Sequence, residues 1–204
     1  MIRLAVVGNI GSGKSYIAKQ FGYPVFNADR EVAKIYKKNR KCYNKLKKAL
    51  PNYITSFPVK KTELIKAIIS NNYNLKKIIK IIHPEVRYKM NRFVNKNKNK
   101  RFIVLDIPLL MENKLNKKNS ILIFIDAKKK EIKKRLKKRN SVNTKILKKF
   151  QLPVEYKKRK ADFIIKNNFR HNLTRKSVKK VLGKIKSNAW SHIRYRNYRV
   201  IYSR

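Results

Sequence analysis

The sequence predicts an α/β fold, a parallel sheet covered by helices, and two observations predict it. Strand-like apolar runs recur at 2–7, 101–107, 121–126 and 162–166, with a shorter one at 25–28, and helical apolar spacing fills the segments between them. Directly after the first run, residues 8 to 15 read Gly-Asn-Ile-Gly-Ser-Gly-Lys-Ser, which fits G-x-x-x-x-G-K-[ST].

Ile2-Arg3-Leu4-Ala5-Val6-Val7 reads as a buried first strand, and Lys14-Ser15-Tyr16-Ile17-Ala18 opens the helix that follows. The link between them is a phosphate-binding loop. Its glycines can take φ > 0 and bring successive N–H groups against a polyphosphate. Lys14 then reaches the β- and γ-phosphates, and the Ser15 hydroxyl holds Mg²⁺. Residues 30–98 carry helical patterns and no interior strand, which predicts a helical insertion between the second and third strands. Within it Thr62 is placed to N-cap Glu63-Leu64-Ile65, and Pro84 suits the first turn of a helix running through Val86, Met90 and Phe93. Residues 128–160 form a second helical block, very basic, where a lid can close over nucleotide phosphates. The chain then returns to a strand at Asp162-Phe163-Ile164-Ile165. Beyond Lys186 lysine disappears, and Tyr195, Tyr198 and Tyr202 interleave with Arg194, Arg196, Arg199 and Arg204. That pattern is either a stacking element for single-stranded nucleic acid or a loosely docked extension.

With 204 residues, 42% of them hydrophobic, the chain can bury one sizeable core with room for insertions. No apolar run approaches the ~20 residues of a membrane span, so no membrane association is expected. The first strand begins at once, which leaves no room for a signal peptide. Cys42 is the single cysteine, which points to a reducing cytoplasm. The formal charge of +46 attracts polyanions of any kind through counterion release. Because the excess is spread along the chain with abundant Ile, Asn and Tyr, it reads as compositional drift; nucleic acid is then a non-specific, charge-driven partner. No obligatory protein partner is implied. Acidic residues are few enough to be informative, and Asp29, Asp106 and Glu112 lie where a phosphoryl-transfer site needs carboxylates.

Several motifs in order carry a resemblance. They are the loop from Gly8 to Ser15, Phe26-Asn27-Ala28-Asp29, Ile82-His83-Pro84-Glu85-Val86-Arg87, and Leu105-Asp106-Ile107-Pro108-Leu109-Leu110-Met111-Glu112-Asn113. Arg135 with Arg139, then Gln151, then Lys160-Ala161-Asp162-Phe163-Ile164-Ile165-Lys166-Asn167 complete the series. Over residues 1 to about 186 the chain resembles the dephospho-CoA kinases, in the nucleotide-kinase group of P-loop proteins. The resemblance implies a three-layer P-loop kinase fold with a parallel five-stranded sheet, a helical acceptor-binding insertion and a helical lid. The core is then 1–29, 99–127 and 161–186, the acceptor (CoA)-binding insertion 30–98 and the lid 128–160, with 187–204 an extension. The implied reaction moves the γ-phosphate of ATP, with Mg²⁺, to the ribose 3′-hydroxyl of dephospho-CoA. Other readings are a P-loop kinase for nucleoside monophosphates or another small alcohol, and a basic nucleic-acid-binding P-loop protein.

Roles follow from the resemblance residue by residue. Gly8, Asn9, Ile10, Gly11, Ser12, Gly13, Lys14, Ser15 and Tyr16 bind ATP, Lys14 also acting in catalysis and Ser15 as the metal ligand. Asp29 is the base that orients the acceptor hydroxyl and takes its proton; on the residues alone it is also an N-cap for Arg30-Glu31-Val32. Asn27 departs from the acidic residue usual in the family. Asp106, with Pro108 and Leu109, lies on the acceptor side; Asp106 supports Mg²⁺ through water, contacts the acceptor, or caps the turn that follows. His83 and Arg87, four apart, share a helix face, Arg87 clamping the pyrophosphate of dephospho-CoA and His83 either joining it, packing or capping. Arg139 is the lid arginine that stabilises charge on the transferring group and Arg135 supports it; otherwise both belong to a solvated face. Gln151 contacts phosphate or caps a turn. Asn167 and nearby backbone lie at the adenine, where Lys166 and Phe169 depart from the family pattern.

Overall fold

The computed structural model describes residues 1–108, 111, 120–139 and 151–188, without the side chains of 138, 139 and 188. Leu109, Leu110, Glu112, the Arg139 side chain and the Arg/Tyr-rich tail lie outside the described residues. The chain divides into two compact units, Met1–Phe26 with Asn97–Arg204, and Asn27–Lys96.

The first unit is built on the sheet. Strands β1 (Ile2–Gly8), β2 (Val25–Asn27), β3 (Phe102–Asp106), β4 (Ser120–Asp126) and β5 (Phe163–Lys166) form one parallel sheet in the order β2-β3-β1-β4-β5. In register, Ile2 to Val6 of β1 pair with Phe102 to Asp106, and Arg3 to Gly8 pair with Ser120 to Ile125. Strand β1 is therefore interior, and Leu4, Ala5, Val6 and Val7 are buried one after another rather than alternately, as a strand covered on both faces requires. Helices α1 (Lys14–Gln20) and α8 (His171–Asn188) cover one face, where Leu4, Val6, Ile17, Phe21, Ile123, Val178 and Ile185 share a core. Helix α7 (Val154–Lys160) packs against β1 and β4. Helix α6 spans Lys129–Arg139.

The second unit is helical: α2 (Ala28–Lys38), α3 (Arg40–Ala49), α4 (Lys61–Ser70) and α5 (Asn72–Lys96), with the first three packed on α5. Asn39 breaks α2 from α3, its Oδ1 accepting from Cys42 N–H at 2.9 Å as the α3 N-cap. Two local expectations fail here. The N-cap of α4 is Lys60, and Thr62 sits inside the first turn. The loop before α4 is fastened instead by Glu63, which accepts from Ser56 N–H at 3.1 Å and from the Thr55 and Ser56 hydroxyls at 2.8 Å each. Burial pushes the Glu63 carboxyl upward, but these hydrogen bonds prevail and hold it below its ordinary 4.5.

Pro84 does not begin a helix but lies within the 25-residue α5. An interior proline costs roughly 3 kcal/mol because it removes one backbone bond and crowds the preceding turn. Leu75, Ile78, Ile82, Val86 and Met90 form one buried stripe through that point. Each contributes roughly 1.5–3 kcal/mol, so the stripe outweighs the proline. Lys80 and Pro84 both face solvent, where water can take the carbonyl that loses its donor. Among the described residues no helix is long and apolar enough to cross a membrane.

Candidate active site

At the end of β1 the chain turns through Gly8 at φ +146°, where a Cβ would lie 2.8 Å from the Ile125 carbonyl oxygen of β4. Only glycine lets the loop leave the strand so close to its neighbour. Ser12 N–H closes a turn onto Asn9 O at 3.1 Å, and Gly13 at φ +92° caps α1 with no side-chain hydrogen bond. Lys14 is 8% exposed, and its Nζ donates to Gly8 O at 3.1 Å and Asn9 O at 2.8 Å. Its ammonium is thereby held across the mouth of the loop by that loop's own carbonyls. The Ser12 hydroxyl is fully buried and has no hydrogen-bond partner among the described residues. A glycine-lined turn with an orphaned hydroxyl and a captured ammonium fits a polyphosphate. Ser15, the first-turn hydroxyl, and Asp106 are hard oxygen donors of the type Mg²⁺ takes alongside substrate phosphates.

Helix α6 lies over this loop. Ile132 Cγ2 and Leu136 Cδ2 stand 3.3 and 3.2 Å from where a Gly11 Cβ would be. The signal was present in the sequence: Ile132 and Leu136 are the two apolar residues of an otherwise charged helix and sit four apart, on one face. That contact places Arg135, next to Leu136, beside the loop. Its guanidinium stacks 4.4 Å from the centroid of the Phe169 ring. Arg139 belongs to the same helix one turn on.

Phe169 sits at φ +61°, in the left-handed region that bulky residues avoid. It belongs to the β5–α8 loop, in which Asn167 also packs against the phosphate loop. Tyr16 on α1 meets His171 edge-on, 5.6 Å between centroids. Asn167 is 3% exposed, and its side chain is engaged within the protein: Nδ2 donates to Ser12 O at 2.8 Å, while Oδ1 accepts from Phe169 N–H at 3.0 Å and Thr174 Oγ1–H at 3.1 Å. Both polar atoms of this side chain therefore have partners inside the protein. Thr174 is a member of this set that the sequence did not announce.

Asp106 ends β3 beside Val6, two residues before Gly8, and is 2% exposed. Pro108 follows it by two residues. On the second unit, Asn27 and not Asp29 is the N-cap of α2: Asn27 Oδ1 accepts from Arg30 N–H at 2.8 Å. Asp29 stands in the first turn, so the capping role expected of it belongs to Asn27. His83 and Arg87 lie four apart on α5, His83 half-buried and Arg87 exposed. His83 is mid-helix and caps nothing. Burial, and after it the Arg87 charge, holds its imidazole below the ordinary 6.5, so it is neutral at pH 7.

Comparison with known proteins bears on the family and the fold. The family model described as dephospho-CoA kinase matches residues 2–172. The dephospho-CoA kinase of Bartonella quintana (strain Toulouse) is 33% identical over 170 residues, covering 79% of this chain and 87% of its own. That of the Wolbachia of Brugia malayi (strain TRS) is 32% identical over 169 residues, with the same shares covered. Among solved structures, dephospho-CoA kinase from Campylobacter jejuni superposes with a TM-score of 0.62 at 26% identity, covering 92% of this chain and 98% of its own. TT1252 from Thermus thermophilus gives 0.73 at 25% identity, covering 90% and 97%. A phosphate loop on the interior strand of a parallel sheet and a family match over most of the sequence lead to one conclusion: the chain belongs to the dephospho-CoA kinase family, which transfers the γ-phosphate of ATP to the ribose 3′-hydroxyl of dephospho-CoA in the last step of coenzyme A synthesis.

Proposed function

We propose that Lys14 and the backbone of residues 8–15 hold the β- and γ-phosphates of ATP, and that Asp29 orients the acceptor hydroxyl and takes its proton. The observation that carries this reading is Lys14 itself, held on Gly8 O and Asn9 O where incoming phosphate oxygens can replace those carbonyls. Ser15 is the protein ligand for Mg²⁺, with Asp106 supporting it through water. When bound, that ion neutralises charge on the phosphate oxygens. Arg135 and Arg139 extend from a helix whose apolar face already touches the loop, and a planar guanidinium can bind a phosphoryl group through two parallel hydrogen bonds. Phosphoryl transfer asks little covalent chemistry of the protein, so positioning and charge carry the catalysis.

In the same reading residues 30–98 hold the acceptor, with His83 and Arg87 on its pyrophosphate side, and 128–160 act as the lid. Asp106, Pro108 and Leu109 complete the acceptor contacts. Cys42 is free and buried, which suits a reducing compartment, and we place the enzyme in the cytoplasm.

The test is ADP release from ATP and Mg²⁺ with dephospho-CoA, beside a panel of nucleoside monophosphates. Selective turnover of dephospho-CoA is expected, and Lys14→Ala should lose at least about a thousandfold in kcat. Turnover confined to another acceptor would remove the roles given to His83 and Arg87. Near-normal turnover in Lys14→Ala would remove the phosphate-loop assignment itself.

A further inference from the structure

We infer that Asn167, held by Thr174, is a positioning residue for phosphoryl transfer: it sets the orientation of the Ser12–Gly13 peptide in the phosphate loop. The inference rests on that loop being the phosphate site.

The geometry leads there directly. A trans peptide is planar, so its C=O and N–H point in opposite directions. Asn167 Nδ2 holds the Ser12 carbonyl at 2.8 Å, toward the β5–α8 loop. The Gly13 N–H of the same peptide is thereby aimed away from Asn167. An unheld peptide that leads into Gly13, at φ +92°, has other orientations within reach.

The amide is itself fixed. Phe169 N–H can only donate and the Ser12 carbonyl can only accept, so the orientation of the Asn167 amide follows from its partners. Thr174, 1% exposed on α8, adds a second donor to Oδ1 at 3.1 Å. Asn167 N–H is also tied to Asp126 O at 2.7 Å at the end of β4. The backbone of Asn167 is thus anchored at the ends of β4 and β5, and its side chain on α8, before the amide touches the loop. Gly13 answers from the other side: a Cβ there would run into Asn167 Nδ2 and approach Phe169 Cε1 to 3.5 Å. Glycine is required at that position by the contact as well as by φ.

The experiment measures steady-state kinetics in ATP and in dephospho-CoA for Asn167→Ala, Thr174→Val and Thr174→Ser, with thermal melts and Lys14→Ala alongside. Asn167→Ala is expected to lower kcat/KM for ATP by about tenfold or more, because a displaced donor at the transferring phosphates is costly. KM for dephospho-CoA should stay within about twofold. Thr174→Val keeps the shape and removes the hydroxyl; it should lower the same ratio by about threefold, and Thr174→Ser should restore it. Should Asn167→Ala fail to fold, the Thr174 pair decides alone. Unchanged kinetics in the folded variants, or a loss confined to melting temperature, overturns the inference. Inactive Lys14→Ala beside an unaffected Asn167→Ala would reject the positioning role alone, whereas active Lys14→Ala would reject the reading beneath it.

Discussion

Asn27 and Asp29 stand two residues apart, and only the first of them caps the helix. Asn27 caps α2 through Oδ1, so the helix start does not depend on Asp29. Asn27→Ala should cost about 1 kcal/mol of stability, seen as a lower urea midpoint. Asp29→Asn should leave that midpoint nearly unchanged and lower kcat by about two to four orders of magnitude, as loss of a positioned base does. A variant Asp29→Asn that loses stability but keeps its rate would reverse the assignment. This division was only half legible in the sequence, because both Asn and Asp are good N-caps and nothing local says which of two neighbours the helix uses. The phosphate loop was legible because its chemistry is contiguous. The contact of Asn167 with Ser12 was not legible: it spans 155 positions, and no local pattern records such a pairing. Thr174 carried no signal at all, since a threonine on a helix is ordinary until its hydroxyl is seen buried.

At the level of elements, strands were read to within a residue or two, because runs such as 102–105 are apolar throughout and lie buried on both faces. Helix boundaries in the second unit were read less well. Proline suits a first turn, so Pro84 suggested a start, yet the buried stripe from Leu75 to Met90 carries α5 straight through it. Pro84→Ala restores an N–H to an exposed helical position and should stabilise the protein by about 1–3 kcal/mol. A urea titration would show this as a higher midpoint with an unchanged slope. A lower midpoint would mean that the proline's shape is required by its packing, not merely tolerated.

For the whole molecule, 56 basic residues face 10 acidic ones. Of the ion pairs among the described residues, Lys34–Glu31 and Lys89–Glu85 lie within single helices and Lys158–Asp126 is a third, partly exposed pair. Such pairs contribute little, so self-repulsion dominates the electrostatics of the folded state. Sodium chloride should therefore raise the melting temperature, by several degrees between about 20 and 200 mM, as the screening length shortens. Sulfate and phosphate are to be avoided because they can occupy the loop. A flat or falling melting curve would show that attractive pairs outweigh the repulsion.

The strand order has a consequence for how the molecule comes into being. Both hydrogen-bonding neighbours of β1 are encoded far downstream, at Phe102–Asp106 and Ser120–Asp126, while Asn27–Lys96 is one uninterrupted stretch that contains its own packing partners. On a ribosome, the second unit emerges from the tunnel before either flank of β1 does. The loop at Gly8–Ser15 then waits longer still, until translation reaches Asn167. The first piece of the catalytic apparatus to be synthesised is among the last to be secured.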